Sequence, residues 1–234
     1  MAFSKEWEDI YKTQHQLSIW PWSDLVSYYM RYIKPDLKNQ KPKILELGFG
    51  SGANIPFYKT IDADFYGIDG SLTIVEKIKQ VYPQYAEHIV CGDFTKNFPF
   101  HEKFDVIVDR ASITHNDTYT IKNTIELIRK SLTNKNGGGV FLGIDWFSSA
   151  HSELNSEGVF KDKNTKIFTE NYFSGLGQVH FSDEQHIREL FKDFKIIKLE
   201  HKIYEDYTRA EDRHFRDVKI KTLACWNFVA KLKE

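Results

Sequence analysis

The sequence has little of several features that mark specialised classes of protein. Its 234 residues contain only two cysteines, Cys91 and Cys225, which lie in separate apolar runs. We expect two buried thiols rather than a disulfide, which suits a reducing cytoplasm. No run approaches the roughly 20 apolar residues that span a bilayer, and residues 1–6 begin no apolar signal segment. These scarcities favour a cytoplasmic protein.

A surplus of either charge is also lacking. The chain has 32 Lys and Arg residues against 33 Asp and Glu residues, so its formal net charge is −1. No overall field therefore attracts it to nucleic acid or to an anionic membrane surface. We expect a small molecule as its partner, with nucleic acid unlikely and no membrane association. The sequence leaves the oligomeric state open.

The most informative feature present is a glycine-rich turn after a short apolar run. Residues 43–47 predict a strand that contains Glu46, and Gly48, Gly50 and Gly52 follow at alternate positions. Glycine has no Cβ, so the backbone of this turn can approach a ligand closely. The dinucleotide fingerprint G-x-G-x-x-G has a different spacing, which disfavours a nicotinamide oxidoreductase.

Strands and helices alternate after this turn. The predicted strands are 43–47, 64–69, 87–91, 104–109 and 140–145, and the predicted helices are 52–60, 71–81 and 118–132. The strands are continuous apolar runs, typical of parallel strands buried on both faces. This order predicts an α/β fold with a doubly wound, mostly parallel sheet.

The flanking segments differ from this central pattern. Two helices with aromatic faces are predicted over 4–16 and 22–34, with Pro35 closing the second. Residues 146–181 show no clean period and predict a long functional or disordered connection. A helix over 183–191 with Ser182 as N-cap and an antiparallel pair of strands over 194–204 and 219–232 complete the prediction.

Asp69 ends the second predicted strand, 21 residues after Gly48. A carboxylate at this place can accept two hydrogen bonds from a ribose diol. The alternative is a structural role, because either Asp69 or Ser71 would cap the helix that follows.

Four motifs over about 43–145 together resemble the class I S-adenosylmethionine-dependent methyltransferases. They are the glycine turn, Asp69, the Cys91-Gly92-Asp93-Phe94 segment and the fourth strand with Arg110, and the main departure is Phe49, where a small residue or Cys is common. The resemblance implies a Rossmann-like sheet of six parallel strands and one antiparallel strand, with S-adenosyl-L-methionine as cofactor. It also places Asp93 near the adenine amino group and Phe94 beside the ring, although a simple turn is the alternative.

The implied cofactor site draws on every part of the chain before the fifth strand. Its predicted members are Tyr11, Trp20, Glu46, Gly48, Gly50, Gly52, Asn54, Asp69, Gly70, Ser71, Asp93, Phe94, Asp109 and Arg110.

Methyl transfer to a hydroxyl requires a group that takes the proton. His115 follows the fourth strand and is the first candidate for that base, and His180 in the irregular segment is the second. Either could instead be structural. A metal could acidify the hydroxyl between Asp109 and Asp145, but the related metal-dependent enzymes continue with Asn or Asp where this chain has Trp146. We expect no metal.

The sequence thus predicts one domain over 1–234 with four parts: a helical lid (1–42), a cofactor-binding core (43–145), an acceptor-covering insert (146–181), and a terminal helix with the antiparallel strand pair (182–234). We expect methyl transfer by in-line displacement to a small molecule, such as a sugar or a secondary metabolite. The alternatives are an RNA or protein methyltransferase and a non-catalytic module that binds S-adenosylmethionine.

Overall fold

The computed structural model describes residues 5–12, 18–37, 40–135, 138–208 and 221–233. Its centre is a seven-stranded sheet. The strands are β1 (Lys43–Leu47), β2 (Asp64–Asp69), β3 (Ile89–Cys91), β4 (Val106–Arg110), β5 (Val140–Phe147), β9 (Phe194–Glu205) and β10 (Thr222–Leu232). Their order is β3-β2-β1-β4-β5-β10-β9. Three short strands between β5 and β9 form a second sheet, described below.

The predicted doubly wound sheet is confirmed. Strands β1 to β5 pair in parallel, and β10 runs antiparallel to both β5 and β9. The order reverses between β1 and β4, which are hydrogen-bonded neighbours although two strands separate them in sequence. In such sheets, ligands bind where the carboxyl ends of the strands meet this reversal.

The helices cover both faces of the large sheet. They are α1 (Lys5–Lys12), α2 (Ser23–Tyr28), α3 (Lys34–Leu37), α4 (Ile55–Thr60), α5 (Leu72–Val81), α6 (Thr118–Ser131) and α7 (Glu184–Leu190). One apolar cluster includes buried residues of α2, α4 and α5, and a second includes those of α6 and α7. The buried side chains of β1, β2, β4 and β5 divide between the two clusters, as expected for strands covered on both faces.

Two predicted helix boundaries are wrong. Pro35 does not end the second helix, because a π-helical turn over Tyr29–Ile33 leads into α3, where proline occupies the first turn. The Lys34 N–H donates to the Tyr29 carbonyl in the π-helical pattern, so the regular hydrogen-bond ladder is already interrupted just before Pro35, which has no N–H to donate. The N-cap of α7 is Asp183 rather than Ser182, since the Asp183 carboxylate accepts a hydrogen bond from the His186 N–H at 2.7 Å.

The segment 146–181 is more regular than its sequence predicts. It contains β6 (Gly158–Phe160), β7 (Thr165–Phe168) and β8 (Gln178–His180), which form an antiparallel sheet of their own. Phe173, Val179 and Phe181 are buried in a small hydrophobic cluster within the insert. The insert is therefore a packed element that can hold side chains in fixed positions.

Two further observations concern the cysteines and the bilayer. Both cysteines are free, but only Cys225 is buried, so the expectation that Cys91 is buried was wrong. Among the described residues, no helix combines the length and apolar character needed to cross a bilayer.

Candidate active site

The carboxyl ends of the parallel strands open into a cavity of about 720 Å³. Its walls come from the glycine turn, the ends of β2 to β5, helix α1, the start of α2, the insert and β10. Of the predicted site residues, the cavity is lined by Tyr11, Glu46, Gly48, Gly50, Asn54, Asp69, Gly70, Asp93, Phe94, Arg110 and His115. The fold thus gathers residues that are up to 104 positions apart, from Tyr11 to His115.

The glycine turn forms the floor of one half of the cavity. Gly48 and Gly50 have φ angles of +65° and +53°, in the region that glycine adopts without strain. A Cβ on Gly48 would lie 2.1 Å from Oγ of Ser112, and one on Gly50 would lie 2.9 Å from the Tyr11 hydroxyl oxygen. Both positions therefore require glycine for space as well as for conformation.

Asp69 closes this turn from the end of β2. One carboxylate oxygen accepts a hydrogen bond from the Gly50 N–H and the other from the Ser71 N–H, each at 2.9 Å. Burial raises the pKa of Asp69 to about 6, although these hydrogen bonds oppose the shift. Each oxygen keeps lone-pair capacity, so the carboxylate can accept further hydrogen bonds from a ligand.

Glu46 and Asn54 lie beside the turn as a bonded pair. The Asn54 amide donates to Glu46 at 2.7 Å, and burial raises the pKa of Glu46 to about 7. The Asn54 side-chain oxygen accepts a hydrogen bond from the Trp22 N–H at 3.2 Å. This pair joins the turn to the beginning of α2.

Arg110 extends from the end of β4 into the other half of the cavity. Its guanidinium lies 3.4 Å above the centre of a Trp22 ring and contacts the Asp145 carboxylate at 2.9 Å. Asp145 has a φ of +55°, uncommon for a non-glycine residue, and its N–H donates to the Asn227 side chain at 2.8 Å. Arg110 is thus held by a carboxylate of the neighbouring strand β5.

His115 lies in a 3₁₀ turn after β4, with its ring between two aromatic rings. The ring centres of Trp7 and Phe147 are 5.2 and 6.0 Å away, both in edge-on orientation. Burial lowers the pKa of His115 to about 4, so the imidazole is neutral at pH 7. Within the part of the chain that the structure describes, its Nδ1 is buried without a hydrogen-bond partner.

Five predicted site residues do not line the cavity. Trp20 is 74% exposed, and Ser71 caps α5 by accepting from the Ile74 N–H. Gly52 packs against apolar side chains. Asp109 is fully buried. Its carboxylate accepts hydrogen bonds from two backbone N–H groups of the next turn and, at 2.7 Å, from the Trp146 indole, so it shapes that turn.

His180, the second candidate base, is the fifth. Its ring is buried in the insert, where Nδ1 contacts the Thr165 hydroxyl at 2.9 Å and Nε2 contacts Nε2 of His186 at 3.1 Å. Both nitrogens are thus occupied by structural partners. His115 is the candidate base that lines the cavity.

The end of β5 and the insert contribute further residues to the lining. His151, Phe147, Tyr172 and Phe173 line the cavity from the end of β5 and from the insert. The sequence around His151 has no helix or strand period, so no local pattern indicates that this side chain reaches the cavity. In the described ranges, no three His, Cys, Asp or Glu side chains are grouped so as to hold a metal ion.

Comparisons with known proteins agree with this arrangement. Residues 44–138 match a family model described as a methyltransferase domain. A search of curated protein sequences finds no significant match.

Solved structures share the fold at low sequence identity. A methyltransferase from Methanosarcina mazei described as dependent on S-adenosylmethionine has a TM-score of 0.64 and 16% identity, covering 87% of this chain and 99% of its own. One of the same description from Clostridium acetobutylicum has a TM-score of 0.59 and 14% identity, with coverage of 99% and 93%. The N-methyltransferase NodS from Bradyrhizobium japonicum, bound to S-adenosyl-L-homocysteine, has a TM-score of 0.56 and 15% identity, with coverage of 91% and 89%.

Proposed function

We propose that this chain is a class I S-adenosylmethionine-dependent methyltransferase and that it methylates a hydroxyl of a small-molecule acceptor held in the cavity. The observation that carries the proposal is the composition of one continuous cavity. Glycines and carboxylates line it at β1 to β3, whereas aromatic rings and a neutral histidine line it at β4, β5 and the insert. The first half suits the cofactor, and the second suits an organic acceptor.

The residues of the first half fit S-adenosylmethionine. Gly48 and Gly50 line it with backbone alone, so a ligand can approach the turn closely. The Asp69 carboxylate has lone pairs left for the hydroxyls of a ribose. Asp93 and Phe94 line the same half at the end of β3. There a carboxylate can accept from the adenine amino group while the ring packs against the base.

The reaction needs positioning and removal of one proton. When bound, the cofactor supplies a methyl group on a sulfonium; the acceptor oxygen forms the new C–O bond while the C–S bond breaks and its electron pair passes to sulfur. The neutral His115 ring takes the hydroxyl proton and later releases it to water. Helix α1 and the insert cover the cavity and exclude water from the reacting groups.

Replacing His115 tests this role. We expect His115→Gln to keep its affinity for S-adenosylhomocysteine within about threefold and to lose methyl transfer by about 100-fold, the lower range for a general base. Titration calorimetry measures the affinity. Transfer of a radiolabelled methyl group to a panel of sugars, phenols and other hydroxylated metabolites measures the rate.

His180→Gln is the matched control, since this histidine lies outside the cavity lining. Unchanged transfer in His115→Gln would remove it as the base. Binding of the cofactor without turnover on any acceptor would favour a non-catalytic module. Methylation of RNA or of protein, with no small molecule accepted, would assign the enzyme a macromolecular acceptor.

A further inference from the structure

The half of the cavity that is lined by β4, β5 and the insert has one wall made of aromatic rings. This aromatic wall consists of Trp7, Phe147, Tyr172 and Phe173. The Phe147 and Phe173 ring centres are 4.9 Å apart and edge-on, and those of Tyr172 and Phe173 are 5.0 Å apart. Phe173 is buried in the small core of the insert, so its position is fixed by packing. Such a wall favours a flat ligand, because rings pair well edge-on or offset.

The charges near this wall already neutralise each other. Arg110 pairs with Asp145 at 2.9 Å, and Lys202 is bonded to Asp24. The Asn227 side chain joins the two pairs: it accepts from the Asp145 N–H at 2.8 Å and donates to Asp24 at 3.0 Å. Of the described lining residues, Arg110 and Lys202 are the cationic ones, and an anionic acceptor would compete for them with the carboxylates of Asp145 and Asp24.

Two uncharged imidazoles complete the lining. Burial lowers the pKa of both His115 and His151 to about 4, so neither adds positive charge at pH 7. In His151 the Nδ1 atom accepts from the Glu153 N–H at 3.2 Å, which assigns the ring proton to Nε2. That Nε2–H donor is buried and has no partner in the described part of the chain.

We propose that the acceptor is an uncharged, planar, hydroxylated ring such as a phenol, packed against the aromatic wall, with the Nε2–H of His151 donating a hydrogen bond to it. This inference rests on the proposed function and narrows the acceptor class. A buried donor without a partner carries a desolvation cost that a ligand oxygen removes. A phosphorylated acceptor would bring two negative charges to a lining whose cations are already paired.

The charge preference is tested with matched compounds. Phenol, catechol and 2-naphthol, each beside its phosphate ester, and methyl glucoside are titrated into the protein saturated with S-adenosylhomocysteine. We expect the best uncharged ring to bind at least tenfold more tightly than its ester and than methyl glucoside. Equal or tighter binding of an ester, preference for the glucoside, or binding of none would overturn the inference. Failure to bind S-adenosylhomocysteine would instead overturn the proposed function.

Two substitutions at one position test the role of His151. The His151→Asn substitution keeps an oxygen near the Glu153 N–H but lacks a donor at the Nε2 position, whereas His151→Gln places an amide donor near that position. We expect His151→Asn to weaken binding of the best ring at least tenfold with an unchanged melting temperature, and His151→Gln to recover most of that affinity. A purely structural role predicts the reverse: His151→Asn would behave like wild type, and His151→Gln would lose stability.

Phe160→Ala is a control for the insert as a whole, because Phe160 lies in the same insert but is 55% exposed and outside the cavity lining. It should bind the ring as wild type does, whereas Phe173→Ala should bind it at least tenfold more weakly. Equal affinity in the Phe173 and Phe160 variants would remove the aromatic wall from the acceptor site.

Discussion

Asp69 illustrates how one side chain can serve both the backbone and a ligand. Its two oxygens fix the Gly50 and Ser71 N–H groups, so the carboxylate defines the shape of the glycine turn. The sequence is compatible with either a ribose contact or a helix-capping role for this residue. In the structure Ser71 provides the cap of α5. The Asp69 carboxylate is therefore not needed as the cap, and it lines the cavity.

We expect Asp69→Ala to weaken S-adenosylmethionine binding at least tenfold, because it deletes the proposed ribose contact. Asp105→Ala is a matched control. The Asp105 carboxylate also accepts a backbone hydrogen bond, from the Lys43 N–H at 2.9 Å, but at the amino ends of β1 and β4, which lie at the other end of the strands from the cavity. Calorimetry and thermal unfolding of both variants separate the ligand contact from the loss of a backbone partner. Unchanged affinity in Asp69→Ala would remove this residue from the site.

Residues could be predicted from the sequence where a local pattern specifies them. Asp69 ends a predicted strand, and the alternate glycines and Asp93 follow two others closely, so their meeting at the carboxyl ends of the strands follows from the fold. His151 and the Trp22–Arg110 stack could not be predicted, because they depend on how distant segments pack. Asp109 was misassigned because a carboxylate at the end of a strand looks the same whether it faces the cavity or the next turn.

At the scale of elements, α1 is a short helix that lines one side of the cavity. Eight residues are too few to be stable alone in water, so its position depends on docking. Glu8 accepts hydrogen bonds from the hydroxyls of Ser71 and Thr73 at the start of α5. Trp7 and Tyr11 of the same helix line the cavity. Glu8 therefore links α1, which we propose to act as a lid, to the element that begins beside Asp69.

We expect Glu8→Ala to increase the dissociation rate of S-adenosylhomocysteine at least fivefold, since the lid loses its bond to α5. Asp9→Ala is the matched control, because the neighbouring Asp9 side chain is 79% exposed and contacts only Lys12 at 3.8 Å among the described residues. Stopped-flow fluorescence of the cavity tryptophans measures both rates. Identical rates in the two variants would contradict a role for Glu8 in holding the lid.

The elements themselves differ in how well their sequences predict them. Strands β1, β2 and β4 are continuous apolar runs, and helices α5 and α6 have clear caps, so their bounds were predicted within two residues. The strands of the insert were not predicted, because β6, β7 and β8 have only three or four residues each. Strands so short show no period, and hydrogen bonds to one another hold them.

For the whole molecule, buried ionisable groups decide how stability depends on pH. Burial raises the pKa of Glu46 to about 7 and that of Asp69 to about 6, so these groups stabilise the fold at low pH and lose that effect as pH rises. Burial lowers the pKa of His115 and His151 to about 4. The stability that His115 and His151 contribute therefore grows as pH rises. The pH profile of wild-type stability sums contributions of opposite sign, and only a comparison of wild type with a variant isolates the contribution of one group.

His180 offers the clearest such difference. Burial and the neighbouring His186 lower its pKa to about 3, from 6.5 for a free histidine. As pH falls below 6.5 the unfolded chain binds a proton that the folded chain does not, so this contribution to stability is present above pH 6.5 and is lost toward pH 3. At pH 5 the loss amounts to about 2 kcal/mol, from about 1.4 kcal/mol per pH unit.

We therefore expect wild type to lose about 2 kcal/mol more unfolding free energy than His180→Gln when the pH is lowered from 7.5 to 5. Urea unfolding at both pH values measures this difference. Any cost of the substitution that does not depend on pH appears at pH 7.5 and cancels. His186→Gln should show a change of the same sign, because burial also lowers the pKa of His186. If wild type and His180→Gln lost equal amounts of unfolding free energy, this would mean that His180 takes up the proton in the folded insert. The bond between His180 and His186, which joins β8 to α7, would then survive protonation of one ring.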